Sequence, residues 1–174
     1  VNWTMGQNTQ TDNYANNILL SNDKLFMLTS EGIFESVDYG STWAFNSKGI
    51  KAHNISALAA NDTYLFTGTS ENGIFRSSDS GATWTLIGIS STDLNPGVNK
   101  STSGLDYDNG ILATIIGGAG VYISSNLGET WTLSPMEGID PSQMGYENIL
   151  IRDQVIIVST ANAELFISTD LGQA

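Results

Sequence analysis

The chain has 174 residues, of which 18 are acidic and 6 basic, so its formal net charge at pH 7 is −12. Such a surface repels phosphate backbones, and no apolar run reaches the roughly 18 residues of a membrane helix, so neither nucleic-acid binding nor membrane insertion is expected. The absence of cysteine and the single histidine exclude disulfides, thiolate chemistry and a histidine-based zinc site.

Short apolar runs alternate with polar turns from the start of the chain, and no segment holds the 3.6-residue apolar period of a helix over three turns. Residues 1–7 predict one isolated strand around Trp3, and a polar loop follows at 8–15. A set of four strands comes next, at 17–20, 24–29, 32–36 and 42–45.

The same order of strands returns along the rest of the chain. A second set is predicted at 55–59, 63–68, 73–77 and 83–87, and a third at 103–107, 111–116, 120–124 and 130–133. The final set has three strands, at 146–151, 154–159 and 164–168. Since the first strand of the chain lacks neighbours and the final set lacks a fourth strand, we expect residues 1–7 to complete it.

A motif, S-x-(D/N)-x-G-x-T-W, links the third strand of each set to the fourth. It occurs at 36–43, 77–84 and 124–131, and a partial copy lies at 168–172. The Asp or Asn side chain accepts hydrogen bonds from backbone N–H groups about two residues on, glycine takes a positive φ, and tryptophan buries a large apolar face between sheets. We therefore interpret the following residues as structural: Asp38, Gly40, Trp43, Asp79, Gly81, Trp84, Asn126, Gly128, Trp131, Asp170 and Gly172.

The motif resembles the Asp-box (BNR) repeat of β-propellers. Trp43, Trp84 and Trp131 follow one another at intervals of 41 and 47 residues, and Trp3 precedes Trp43 by 40. A period of about 40–50 residues with several short strands is typical of propeller blades. Similar propellers include sialidases, xyloglucanases, the sortilin luminal domain and photosystem II assembly factors, so the resemblance implies a fold more than an activity.

We therefore expect an all-β protein, a β-propeller of four-stranded antiparallel blades with about four blades in this chain. One domain, 1–174, is predicted, with blades at about 16–46, 52–88, 102–134 and 145–174, the last completed by the N-terminal strand. Three assemblies remain open: four blades that close on themselves, a homodimer that forms an eight-bladed ring, and a segment of a longer propeller.

The candidate binding residues lie on the propeller face opposite the motif turns. There, the loops that join one blade to the next carry Tyr14, Asp93, Asp140 and Tyr146, and the lone His53 lies beside them. Aromatic side chains on loops stack on sugars or anchor protein interfaces. The sequence favours a non-catalytic binding or scaffold module whose partner is a protein or a glycan, and no cofactor is expected.

Glu31 and Glu71 occupy equivalent hairpin corners on that same face and form a candidate carboxylate pair for acid/base work on a glycosidic bond. The alternative function is therefore a glycoside hydrolase fragment or subunit. The resemblance argues against a sialidase, which grips its substrate carboxylate with three arginines, because this chain has only Arg76 and Arg152.

No metal is expected either. The segment from Asp106 to Gly110 is weakly similar to a calcium loop, but Ile116 stands where that loop needs a glutamate. The few lysines and the abundance of asparagine, serine, threonine and glycine favour a secreted or cell-surface bacterial protein.

Overall fold

The computed structural model describes residues 15–50, 54–89, 101–135 and 145–172. Within those ranges it consists of strands and turns, with no helix. The strands are β1 (Ala15–Ser21), β2 (Lys24–Thr29), β3 (Gly32–Ser36), β4 (Ala44–Phe45), β5 (Ile55–Ala60), β6 (Leu65–Thr69), β7 (Ile74–Ser77), β8 (Thr85–Leu86), β9 (Thr102–Asp108), β10 (Ile111–Ile116), β11 (Gly120–Ser124), β12 (Thr132–Leu133), β13 (Tyr146–Arg152), β14 (Val155–Thr160) and β15 (Leu165–Ser168).

Consecutive strands pair antiparallel in four sheets, which we call blades 1 to 4. Blade 1 holds β1 to β4, blade 2 holds β5 to β8, blade 3 holds β9 to β12, and blade 4 holds β13 to β15. The predicted all-β fold of antiparallel propeller blades is confirmed. The N-terminal strand around Trp3 that is expected to complete blade 4 lies outside the described residues, and the domain boundaries stay a prediction.

Tight turns join the two innermost strands of each blade. Ser21 pairs directly with Lys24 across the turn, and both intervening residues, Asn22 and Asp23, have positive φ, 50° and 61°. Asparagine and aspartate tolerate this left-handed backbone better than most residues, which is why such pairs close two-residue hairpins. The turn residues thus fix the register of the inner hairpin.

The outer strands are shorter than the sequence predicts. The predicted starts at 42, 83 and 130 move to Ala44, Thr85 and Thr132. The reason is that the threonine and tryptophan of each motif belong to the turn that precedes the strand. Each outer strand therefore pairs with its neighbour through only two residues.

Three hydrophobic cores hold the blades together, one at each junction between neighbours. The face that a blade turns to the preceding blade is its leading face, and the opposite one is its trailing face. At the first junction, trailing Phe26, Leu28 and Ile33 pack on leading Leu58, Leu65 and Phe75. Trailing Phe66 and Ile74 pack on leading Leu105 and Leu112 at the second junction, and trailing Ala113, Ile115 and Val121 pack on leading Ile149, Ile151, Ile156 and Val158 at the third.

In the described parts of the chain, no helical segment has the length and hydropathy needed to span a bilayer.

Candidate binding site

The motif turn of blade 1 is closed by side-chain hydrogen bonds. Ser36 Oγ donates to Asp38 Oδ1 at 2.8 Å and accepts from Gly40 N at 2.8 Å. Asp38 Oδ1 accepts from Thr42 N at 2.8 Å, and Asp38 Oδ2 accepts from the Thr42 hydroxyl at 2.7 Å. The backbone donor to Asp38 lies four residues after the aspartate, rather than the two expected from the sequence, whereas in blade 4 Asp170 Oδ1 accepts from Gly172 N, two residues on, at 3.1 Å.

These hydrogen bonds lower the pKa of two motif aspartates, because they stabilise the charged carboxylate. The backbone N–H of Thr42 is the main cause of the lowered pKa of Asp38, and the hydroxyl of Thr83 is the main cause for Asp79. Blade 3 builds the same turn without charge: Asn126 Oδ1 accepts from Thr130 N at 2.9 Å, and Asn126 Nδ2 donates to the Thr130 hydroxyl at 2.8 Å.

Two of the motif glycines, Gly128 and Gly172, lie where a neighbouring blade leaves no room for a side chain. An added Cβ at Gly128 would lie 2.3 Å from Ile87 Cδ1 of blade 2, and one at Gly172 would lie 2.2 Å from Ser134 Oγ of blade 3. Ser134 Oγ also donates to the Gly172 carbonyl at 3.0 Å. The motif therefore fixes the spacing between blades, in addition to closing its own turn.

A cavity of about 400 Å³ lies along the innermost strands of the blades, and Ile157 and Ser159 of β14 also line it. Strands β1, β5, β9 and β13 all contribute to its wall, so the cavity exists only once the blades are packed together. Amide, charged and hydroxyl groups alternate with aliphatic side chains around it: Asn17, Leu58, Leu105, Asp106, Asn148, Ile149, Leu150, Arg152, Ile157 and Ser159. A concave surface of mixed polarity is the usual form of a binding site.

One carboxylate in this wall ties blade 3 to blade 4. Asp106 Oδ2 accepts from the backbone N of Ile151 at 2.9 Å and from Arg152 Nη1 at 2.8 Å. Two residues on, Asp108 Oδ2 accepts from Asp153 N at 2.8 Å. Asp106 belongs to the segment that is weakly similar to a calcium loop, and its carboxylate thus contacts an arginine, Arg152. Among the residues that the structure describes, no group of three or more His, Cys, Asp or Glu side chains is placed to hold a metal ion.

Most of the predicted binding residues cannot be compared with this cavity. Tyr14, His53, Asp93 and Asp140 lie outside the described residues, and of Tyr146 the structure describes only the backbone, as the first residue of β13.

The predicted carboxylate pair lies apart from the cavity wall. Glu31 and Glu71 are both exposed, on the turns between β2 and β3 and between β6 and β7. Neither lines the cavity, and their catalytic role stays a prediction.

Sequence reasoning missed the polar residues of the cavity wall. Asn17 and Asn148 follow the start of the first strand in blades 1 and 4, and Arg152 ends that strand in blade 4. Polar side chains inside otherwise apolar inner strands were the available signal, since a strand that lines a channel exposes alternate residues to it.

No protein-family model matches the sequence, and no curated protein matches it either. Solved structures, in contrast, do match this chain. The chain is similar to the computationally designed Ika4 protein, with a TM-score of 0.71, 9% identity and coverage of 98% of this chain and 99% of that one. It is also similar to YCF48 from Cyanidioschyzon merolae, with a TM-score of 0.68, 15% identity and coverage of 91% and 53%.

A third similar structure is the GH74 enzyme of Niastella koreensis, with a TM-score of 0.70, 19% identity and coverage of 93% of this chain and 29% of that one. The chain thus spans about half the length of YCF48 and less than a third of the GH74 enzyme. A further YCF48 structure of 18% identity is bound to D1 peptide. At these identities the likeness shows a β-propeller fold and nothing of the activity.

Proposed function

We propose that this chain is a non-catalytic β-propeller module that binds a protein partner through an extended peptide segment, or a glycan, in the cavity between its inner strands. The observation that carries the proposal is the cavity itself, whose wall is shared by all four blades. The YCF48 structure that is bound to D1 peptide supports a peptide as the ligand, because the same fold accepts one there.

The cavity wall suits a ligand that both donates and accepts hydrogen bonds. Asn17 and Asn148 each carry an amide, which has two donors and an acceptor, while leucine and isoleucine side chains supply apolar contact. The Asp106–Arg152 pair lies in the same wall, and more than half of the Arg152 side chain is exposed. A peptide backbone and a sugar both present this mixture, and the net charge of −12 favours a basic partner.

A peptide array and a glycan array, each probed with the purified chain, test this proposal. We expect binding to at least one class, with basic peptides favoured. Asn148→Ala removes one amide from the wall and should weaken that binding about five- to tenfold, as expected for one or two hydrogen bonds. Asn162→Ala, on the exposed turn between β14 and β15, is the matched control. No binding on either array, or equal affinity of the two variants, contradicts the proposal.

Glycoside hydrolysis remains the second candidate because the similar structures include GH74 enzymes. It assigns the acid/base pair to Glu31 and Glu71. The check is turnover of a glycan panel by the unmodified chain and by Glu71→Gln. If the unmodified chain hydrolyses a glycan and Glu71→Gln abolishes this turnover, the proposal of a non-catalytic module is wrong. If no glycan is hydrolysed, the proposal of a glycoside hydrolase is wrong.

We also propose that the motif turns are Asp-box (BNR) repeats. The shared Ser–Asp–Thr hydrogen bonds and the glycines with positive φ support this assignment. Asp79→Ala removes the acceptor that closes the second turn, so the free energy of unfolding should fall. An unchanged value contradicts a structural role for the motif.

The setting that we propose is the bacterial cell surface or the secreted fraction, on the strength of the amino-acid composition alone. Fractionation of the source cells with an antibody against the chain tests it, and a signal confined to the cytoplasm contradicts it.

We propose a homodimer as the working assembly, because the two end blades leave apolar side chains exposed.

A further inference from the structure

The leading face of blade 1 is buried at Met27 and Phe34, but its inner strand exposes a side chain that every other blade buries. Ile18 is 58% exposed, whereas Leu58, Leu105 and Ile149, at the same register position of their inner strands, are 6%, 6% and 4% exposed. The difference lies in the neighbour, because blades 2, 3 and 4 each have a preceding blade in contact and blade 1 has none in the described residues.

The trailing face of blade 4 shows the converse. Leu165 is 65% exposed, whereas Ile33, Ile74 and Val121, at the equivalent position of the third strand in blades 1, 2 and 3, are 0%, 0% and 3% exposed. Ile167, two residues on and on the same face, is 64% exposed. Blade 4 therefore offers an apolar surface of the kind that the other blades bury under the blade that follows.

The two exposed faces are complementary. Every internal junction packs a trailing face on a leading face, and the two ends of the series present one of each. Among the described residues, none of the three cores joins blade 4 to blade 1, so no hydrophobic core closes these four blades into a ring. The surroundings of Gly40 also indicate that blade 1 has no preceding blade in the described residues. An added Cβ there would meet only Trp43 and Leu25 of its own blade, whereas one at Gly128 or Gly172 would meet the preceding blade.

A second cavity, of about 480 Å³, lies beside the motif turn of blade 4. Its wall includes Ser134 and Pro135 of blade 3 and Leu171 and Gly172 of blade 4. The corresponding place at the previous junction is filled, since Trp131 packs there beside Gly88 of blade 2. The cavity thus occupies the position of a motif tryptophan on a fourth strand, which blade 4 lacks in the described residues.

The sequence predicts that Trp3 lies on a fourth strand of this kind. Trp43 precedes the first residue of β5, Ile55, by 12 residues, and Trp3 precedes the first residue of β1, Ala15, by 12 as well. This equal spacing predicts that residues 1–7 precede blade 1 in the way that β4 precedes blade 2, as the outer strand of a preceding blade.

We propose that two copies of this chain close one eight-bladed ring by exchanging their N-terminal strands. Blade 4 of each copy packs its trailing face on the leading face of blade 1 of the other. Residues 1–7 that precede this blade 1 pair with β15 of the neighbouring copy, and Trp3 fills the cavity beside Gly172. The occupant of both end faces is a second copy because this chain itself carries the two complementary faces and the strand that blade 4 needs. This inference rests on the homodimer proposed above and does not depend on the ligand.

The pairing register follows from the three complete blades. The residue after the motif tryptophan is opposite Glu35 in blade 1, Arg76 in blade 2 and Ile123 in blade 3. The equivalent position in blade 4 is Ile167. Thr4, the residue after Trp3, should therefore be opposite Ile167 of the partner subunit.

The first test is the solution mass of the 174-residue chain by light scattering over a range of concentrations. We expect twice the mass of one chain. Leu165→Asp places a charge on the trailing face of blade 4 and should shift the mass to that of a monomer. Val37→Asp, at an equally exposed apolar residue outside both faces, should leave the dimer intact. A monomeric or higher mass for the unmodified chain overturns the proposal.

The second test separates exchanged strands from a strand that folds back on its own chain. A chain with Thr4→Cys is unfolded, mixed with a chain with Ile167→Cys, refolded and treated with a short bismaleimide. Since the protein has no native cysteine, a covalent dimer requires that the two positions meet between copies, and we expect that product. Each variant alone, and Thr4→Cys mixed with Val37→Cys, should remain uncrosslinked. A mixture that gives only single chains overturns the exchange.

Discussion

The internal junctions and the two end faces are built from the same register positions but differ in burial. Ile74 and Leu165 begin the same strand pairing in blades 2 and 4, and both are apolar, yet the first is fully buried and the second is mostly exposed. Strand pattern therefore does not decide burial in this fold, and the neighbouring blade does. An apolar residue that lacks a neighbour indicates a contact that lies beyond the single chain.

The largest expected effect on stability comes from a direct test of this comparison between a buried and an exposed position. Ile74→Ala opens a void inside the second core, so the free energy of unfolding should fall by about 2–5 kcal/mol. Leu165→Ala removes exposed surface from an isolated chain and should cost less than about 1 kcal/mol. Urea unfolding of both variants at low protein concentration measures the difference. Equal losses contradict the assignment of Leu165 to an uncovered face.

The sequence predicted the repeating parts of this molecule because each is determined locally. The motif turns and the order of four strands follow from turn residues and strand periodicity. The binding cavity could not be predicted from the sequence, because Asn17 and Arg152 come to line the same cavity only when the blades pack together. The short outer strands were also missed, because the threonine of each motif, Thr42 for example, bonds to the aspartate of the turn and not to a strand.

Two motif glycines sharpen the contrast between internal and end positions. Gly40 and Gly128 have nearly the same φ, +88° and +89°, so alanine at either site pays a similar backbone penalty of about 1–2 kcal/mol. At Gly128 the new Cβ also meets Ile87, which must move. We expect Gly128→Ala to lower the free energy of unfolding by about 1 kcal/mol more than Gly40→Ala. Thermal and urea unfolding provide the measurement, and equal values contradict close contact between the blades.

The junction of blades 3 and 4 allows a comparison of the same kind. Asp106→Ala leaves the backbone N–H of buried Ile151 without its acceptor, which should cost about 1–3 kcal/mol. Arg152→Ala removes only the exposed partner of that carboxylate and should cost under about 1 kcal/mol. A larger loss for Arg152→Ala would show that the ion pair, and not the backbone bond, holds the two inner strands together.

The smallest expected effect contrasts the charged motif turns of blades 1 and 2 with the neutral turn of blade 3. Hydrogen bonds from Thr42 and Thr83 lower the folded-state pKa of Asp38 and Asp79 below the ordinary value of 3.8. A lowered pKa means that these carboxylates stabilise the fold at pH values above 3.8, and that this stabilisation is lost as the pH falls through the folded pKa. Stability should therefore decline below about pH 4.

The double variant Asp38→Asn with Asp79→Asn converts both turns to the chemistry of Asn126, whose amide accepts from the backbone and donates to the threonine hydroxyl. The acid decline should become shallower, while stability near pH 7 changes little because each turn keeps the three side-chain hydrogen bonds that Asn126 makes. Asp62→Asn, on an exposed turn of blade 2, controls for the loss of charge. If the double variant and wild type lose stability over the same acid range, the turn carboxylates do not set the acid limit, and other carboxylates of this acidic chain must do so.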